Sequence, residues 1–123
     1  MPQDCLTILT QRLRDFAAAR DWERFHSPKN LAMALAAETG ELLEHFQWLT
    51  EAQSRELDPS QRDLVAAELA DVLLYLLRLA DRLGVDLKTA AERKIAVNEK
   101  RYPVDRVRGS AKKYTEYQDI PGA

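Results

Sequence analysis

Three observations predict an all-α fold built as a four-helix bundle. Apolar residues recur at helical spacing in four separate stretches, residues that cap helices stand just before each stretch, and nowhere do apolar and polar residues alternate as in a strand. The 123 residues amount to one domain, long enough for a single core. Apolar residues make up 46% and charged residues 31%, an ordinary soluble composition.

The first helix opens at Asp4 and runs to about Arg20, with Leu6, Leu9, Leu13, Phe16 and Ala17 on one face. An aromatic segment, Trp22-Glu23-Arg24-Phe25-His26, follows. Ser27-Pro28 places a capping hydroxyl before a proline suited to the first helical position, which starts a second helix extending to about Trp48. From Thr50 to Leu57 the sequence turns polar and loses its period, so a loop is expected. Asp58-Pro59 repeats the cap-then-proline start, and the third helix continues to Leu83, with Gly84 as terminator. Asp86 caps a fourth helix ending near Arg101, because Tyr102 precedes a proline and is pushed out of helical geometry. Residues 1–103 thus form a helical domain. Residues 104–123 read as an extended or partly ordered tail.

Two acid pairs carry the chemistry. Glu38 and Glu41 on the second helix, and Glu68 and Asp71 on the third, are each three residues apart, which puts both carboxylates on one side of their helix. With Leu31 at the origin and about 100° per residue, Leu35, Leu42, Phe46 and Leu49 share a narrow sector. Glu38 projects from inside that sector and Glu41 from its edge. On the third helix, apolar side chains from Val65 to Leu83 cover most of the circumference, leaving one polar strip of Glu68, Asp71, Tyr75, Arg78 and Arg82. A helix apolar nearly all round is expected to be buried, and buried carboxylates need a partner, a hydrogen bond or a metal. Two such helices face to face make a carboxylate cage for a hard divalent cation such as Mg²⁺, which also favours substrate phosphates. The apolar excess exceeds what a four-helix monomer can bury, so a homo-oligomer of even subunit number is expected.

Lys94, Asn98 and Arg101 follow an i, i+4, i+7 spacing and suit a polyphosphate, lysine as a point charge and arginine as a fork. Taken alone they also fit a solvated helix end whose cations complement the dipole. Trp22, His26, Trp48 and Tyr75 are candidates for a base pocket, while Phe25 and Phe46 read as core. The net charge of −2 offers no footprint for a nucleic-acid polymer. The leucine-rich stretch from Val72 to Leu79 is far short of a bilayer span and no charged-then-apolar leader opens the chain, so a cytoplasmic protein is expected. The single cysteine, Cys5, reads as a spectator.

Together these residues resemble the MazG-like all-α nucleoside triphosphate pyrophosphohydrolases: E-x-x-E, then E-x-x-D, then K-x-x-x-N-x-x-R on successive helices. Within that family the chain is similar to the dCTP pyrophosphatase branch, through Trp22 to Asn30, Phe46-Gln47-Trp48, Arg101-Tyr102-Pro103 and Arg108 to Glu116. The resemblance spans about Leu6 to Glu116. It implies hydrolysis of dCTP, a 5-modified dCTP or another triphosphate such as dUTP between the α and β phosphates. It further implies Glu38, Glu41, Glu68 and Asp71 as Mg²⁺ ligands, Lys94, Asn98 and Arg101 on the phosphates, and Trp22, His26, Trp48 and Tyr75 around base and sugar. A homotetramer is implied as well. Either Glu41 or Glu38 could take the proton of the attacking water.

Two rivals stand beside this reading. A ferritin-like di-iron site needs Glu-x-x-His, and neither Glu41 nor Glu68 has histidine three residues on. A non-enzymatic helical module would pair its buried acids with Arg78 and Arg82.

Overall fold

Each of the four long helices begins at the residue whose side chain caps it. In a computed structural model describing residues 3–117, the order is α1 (Cys5–Ala19), a 3₁₀ turn (Glu23–Phe25), α2 (Pro28–Glu44), α3 (Glu51–Arg55), α4 (Pro59–Leu83), α5 (Leu87–Arg101), α6 (Val104–Val107) and a second 3₁₀ turn (Tyr114–Glu116). Asp4, Ser27, Asp58 and Asp86 accept from the backbone N–H three residues on, satisfying a donor that the helix cannot. Gly84 ends α4 in the left-handed conformation at φ 68°, where a Cβ would be strained. No strand occurs among the described residues, and the all-α class stands.

Three boundaries differ from the sequence expectation. The stretch read as a loop holds α3, started by a reciprocal capping box in which Thr50 accepts from Gln53 N–H and the Gln53 side chain accepts from Thr50 N–H. Helix α2 ends at Glu44, and His45 to Trp48 continue as turns, where Phe46 N–H reaches back only three residues to Leu43. Such bonds tighten the last turn of a helix that has run out of regular partners. Beyond Pro103 the chain forms α6 and the second 3₁₀ turn, while residues 118–123 of the expected tail lie outside the described residues.

The chain divides into two compact units, one up to Val85 and one from Asp86 onward. In the first, α4 packs against both α2 and α1, burying Ala17, Leu31, Val65, Leu77 and Ala80. This is a narrower stripe than the leucine content of α4 suggested. Leu64, Leu69, Leu73 and Leu76 remain exposed, because two neighbouring helices cannot cover a helix that is apolar nearly all round. Phe25, expected in the core, is 56% exposed, with the Arg24 guanidinium 5.0 Å from its ring centre. The single 3₁₀ turn on which it sits sets Trp22 edge-on to Phe16 instead, with 5.6 Å between centroids.

In the second unit, the chain after α6 returns to the end of α5. Tyr114 N–H donates to the Tyr102 hydroxyl at 3.1 Å, and the Arg101 guanidinium lies 4.2 Å from the Tyr114 ring centre.

Candidate active site

The contact between α2 and α4 brings acids together. Helical spacing gathers Glu38 with Glu41 and Glu68 with Asp71, and oxygens from Glu38, Glu41 and Glu68 lie within 4.8 Å of one another. Glu38 and Glu68 are half-buried, and the Oε2 atom of each is buried without a hydrogen-bond partner. No salt bridge reaches any of the three among the described residues. Ionised carboxylates are acceptors only, so they cannot satisfy one another. The two buried oxygens need a proton or a cation.

Glu38 shows that need. Its contact with Glu41, which a proton on Glu38 would turn into a hydrogen bond, pushes the carboxyl from 4.5 up to about 7. Burial, the charge of Glu41, the contact with Glu68 and the charge of Asp71 push the same way. The donor set is all hard oxygen, two of the oxygens lack partners, and no thiol or imidazole joins the cluster. That combination fits Mg²⁺ or a similar hard cation rather than a soft metal.

Asp71, the fourth expected ligand, lies outside this three-acid group but near enough for its charge to act on Glu38, and it lines a cavity of about 170 Å³. Leu13, Phe16, Trp22 and Leu74 give it apolar walls, and His26, Asp71, Tyr75 and Arg78 supply polar groups. A cavity of roughly 150 Å³ accepts benzene, so this one has room for a single six-membered ring. Arg78 Nε donates to His26 Nδ1 at 3.1 Å, and Arg82 Nε donates to the His26 carbonyl at 3.1 Å. Burial holds the His26 imidazole below its ordinary pKa, the charges of Arg78 and Arg82 adding to the effect and Glu23 opposing it.

The other expected site residues fall elsewhere. Trp48, in the turn after α2, is 86% exposed and is not part of the cavity wall. Lys94 and Asn98 are exposed and Arg101 half-buried on α5, in the second unit, where their spacing sets them along one face. Sequence reasoning missed Leu13 and Phe16 as pocket walls, having placed them in the core stripe of α1. It also missed the anchoring of Arg78: Arg14 Nη2 and Nε donate to the Asp81 oxygens at 2.5 and 3.2 Å, and Arg78 Nη1 donates to Asp81 Oδ2 at 3.2 Å. Arg78 and Arg82 therefore serve Asp81 and His26, not the acid cluster as the interaction-module rival required.

Fold and site define a class, the all-α proteins that set a carboxylate cluster beside a ring-sized aromatic pocket, a pairing suited to nucleotide phosphates. The MazG-like family model matches residues 33–117. The chain is 46% identical over 117 residues to dCTP pyrophosphatase 1 of Rattus norvegicus and 44% identical over 117 residues to that of Homo sapiens, each match covering 94% of this chain and 69% of the relative. The crystal structure of a pyrophosphatase from Archaeoglobus fulgidus superposes with a TM-score of 0.78 at 38% identity, covering 84% of this chain and 96% of that one. The chain belongs to the MazG-like family.

Proposed function

We propose that this protein hydrolyses dCTP, or a 5-modified dCTP, between the α and β phosphates, releasing the nucleoside monophosphate and pyrophosphate and so cleansing the nucleotide pool. The observation that carries the reading is a carboxylate cluster with two unpartnered oxygens whose neighbour Asp71, close enough for its charge to act on Glu38, lines a cavity sized for one ring. A one-ring cavity favours a pyrimidine over a purine. The relatives' name, dCTP pyrophosphatase 1, supports cytosine among the pyrimidines.

Glu38, Glu41, Glu68 and Asp71 would hold Mg²⁺. When bound, that ion offsets triphosphate charge and lowers the pKa of coordinated water. Glu38 or Glu41 takes the proton of the attacking water, the role of a general base. Trp22, His26 and Tyr75 hold the base, with Trp48 contributing against base or sugar, and Lys94, Asn98 and Arg101 bind the phosphates and stabilise charge on the leaving pyrophosphate. We assign residues 1–103 to the catalytic domain and 104–123 to a tail. The exposed leucines of α4 support self-association, proposed as a homotetramer. No helix among the described residues is long and apolar enough to cross a membrane. A cytoplasmic enzyme without nucleic-acid or membrane partners completes the proposal.

A pyrophosphate-release assay across the common triphosphates and dUTP tests it. dCTP should turn over fastest with Mg²⁺, and equal rates on purine and pyrimidine triphosphates would reject the one-ring pocket.

A further inference from the structure

We infer that Arg78 is a positioning residue: it holds the His26 imidazole as the Nε2–H tautomer, so that a donor of fixed direction is offered to the ring-sized cavity. The inference deepens the proposed function and rests on that cavity being the base pocket.

The tautomer follows from hydrogen-bond chemistry. Arg78 Nε approaches His26 Nδ1 at 3.1 Å. A guanidinium only donates, so Nδ1 must supply a lone pair and the single proton of a neutral ring must sit on Nε2. With Nδ1 occupied, Nε2 is the nitrogen that His26 has left for the cavity it lines. Arg82, one turn further along α4, donates to the His26 carbonyl, so α4 grips both the ring and the backbone of this residue. Burial and the two arginine charges disfavour a second proton on the ring.

A purely structural role accounts poorly for Arg78. Its side chain is buried, the residue only 4% exposed, and its Nη2 has no partner. Asp81 already receives two hydrogen bonds from Arg14 and does not need Arg78 for neutralisation. A buried guanidinium divided between a carboxylate that it shares with Arg14 and a neutral imidazole, with one donor orphaned, is less favourable than an apolar side chain of similar volume. What Arg78 adds is control of His26. The Nε2–H tautomer offers a donor to a carbonyl oxygen or ring nitrogen of the base, whereas the Nδ1–H tautomer would offer an acceptor and reward a different base edge.

Nitrogen-15 NMR of the imidazole tests this, aided by the presence of only two histidines in the chain. In a His45→Gln background a single imidazole remains, and at neutral pH it should show the shifts of a neutral, Nε2-protonated ring. In Arg78→Met the same signal should move to the average of exchanging tautomers. KM for dCTP should rise about 3- to 10-fold, the loss of one hydrogen bond of ordinary strength, with kcat nearly unchanged. A structural defect would instead lower the fraction of active enzyme and leave KM where it was. An Nδ1-protonated ring in the Arg78 protein, an unmoved signal in Arg78→Met, or an unmoved KM would each overturn the inference. The ring measurement needs no substrate, and matching circular dichroism spectra of the His45→Gln and parent proteins confirm that the background is folded. If the parent protein failed to hydrolyse dCTP, the proposed reaction would fall, while the tautomer would still decide the Arg78 contact.

Discussion

The two ends of the polar strip on α4 handle charge in opposite ways. At the Glu68–Asp71 end, like charges crowd with Glu38 and Glu41 from α2, two buried oxygens lack partners, and Glu38 is pushed up to about 7. At the Arg78–Arg82 end, Asp81 has two cations, Arg14 and Arg78. Asp81 is held below the usual carboxylate range, first by its hydrogen bond from Arg14, with the charges of Arg14 and Arg78 helping and burial opposing. The first end works against the metal-free fold and requires something from outside. The second clasps α1 to α4 and holds His26. One helix thus carries a site that costs stability beside a clasp that supplies it.

The sharpest way to break the contrast is to neutralise one charge at each end. Glu41→Gln or Asp71→Asn should lower dCTP turnover by about 10²-fold or more, with the circular dichroism spectrum unchanged and the metal-free melting temperature equal or higher, since like-charge repulsion is relieved. Asp81→Asn should do the reverse in kind. Leaving the buried Arg78 without its carboxylate should cost about 3 kcal/mol in urea unfolding, at unchanged m-value.

A pH series sharpens the same comparison. Glu38 has a folded pKa near 7 against 4.5 for the free group, so the metal-free fold binds the extra proton and loses stability as pH rises between those values. Mg²⁺ should restore stability above that range by replacing the proton. Asp81 runs the other way: its contribution is present above the ordinary value of 3.8 and is lost as pH falls through its lowered folded value. Metal-free melting temperatures followed from acid to neutral pH should therefore rise and then fall. A smaller effect belongs to neither end. Gly84→Ala, at φ 68°, should cost about 1–2 kcal/mol and leave kcat/KM alone.

Much of this is legible in the amino-acid sequence. Asp4, Ser27, Asp58 and Asp86 marked helix starts because capping is local chemistry, and the period of the helix turned acid spacing into faces. The strip from Glu68 to Arg82 was visible for the same reason. Helix α3 was legible in principle, since Thr50 and Gln53 spell a capping box, but five residues are too few to show a period. The Arg14–Asp81 clasp joins residues 67 apart in sequence, and nothing in spacing announces which helices will touch. The cavity was hidden likewise: Leu13 and Phe16 lie on the apolar stripe of α1, and only packing shows that this stripe opens against Trp22 and His26.

The central claim is that the carboxylates of α2 and α4 gather to hold a divalent cation on which hydrolysis depends. Pyrophosphate release from dCTP by chelator-stripped protein, before and after Mg²⁺ is returned and with Glu38→Gln alongside, tests it most directly. No turnover is expected without the ion, with recovery on its return and no recovery in the variant. Turnover that persists in chelator, or a Glu38→Gln protein as active as its parent, would contradict it.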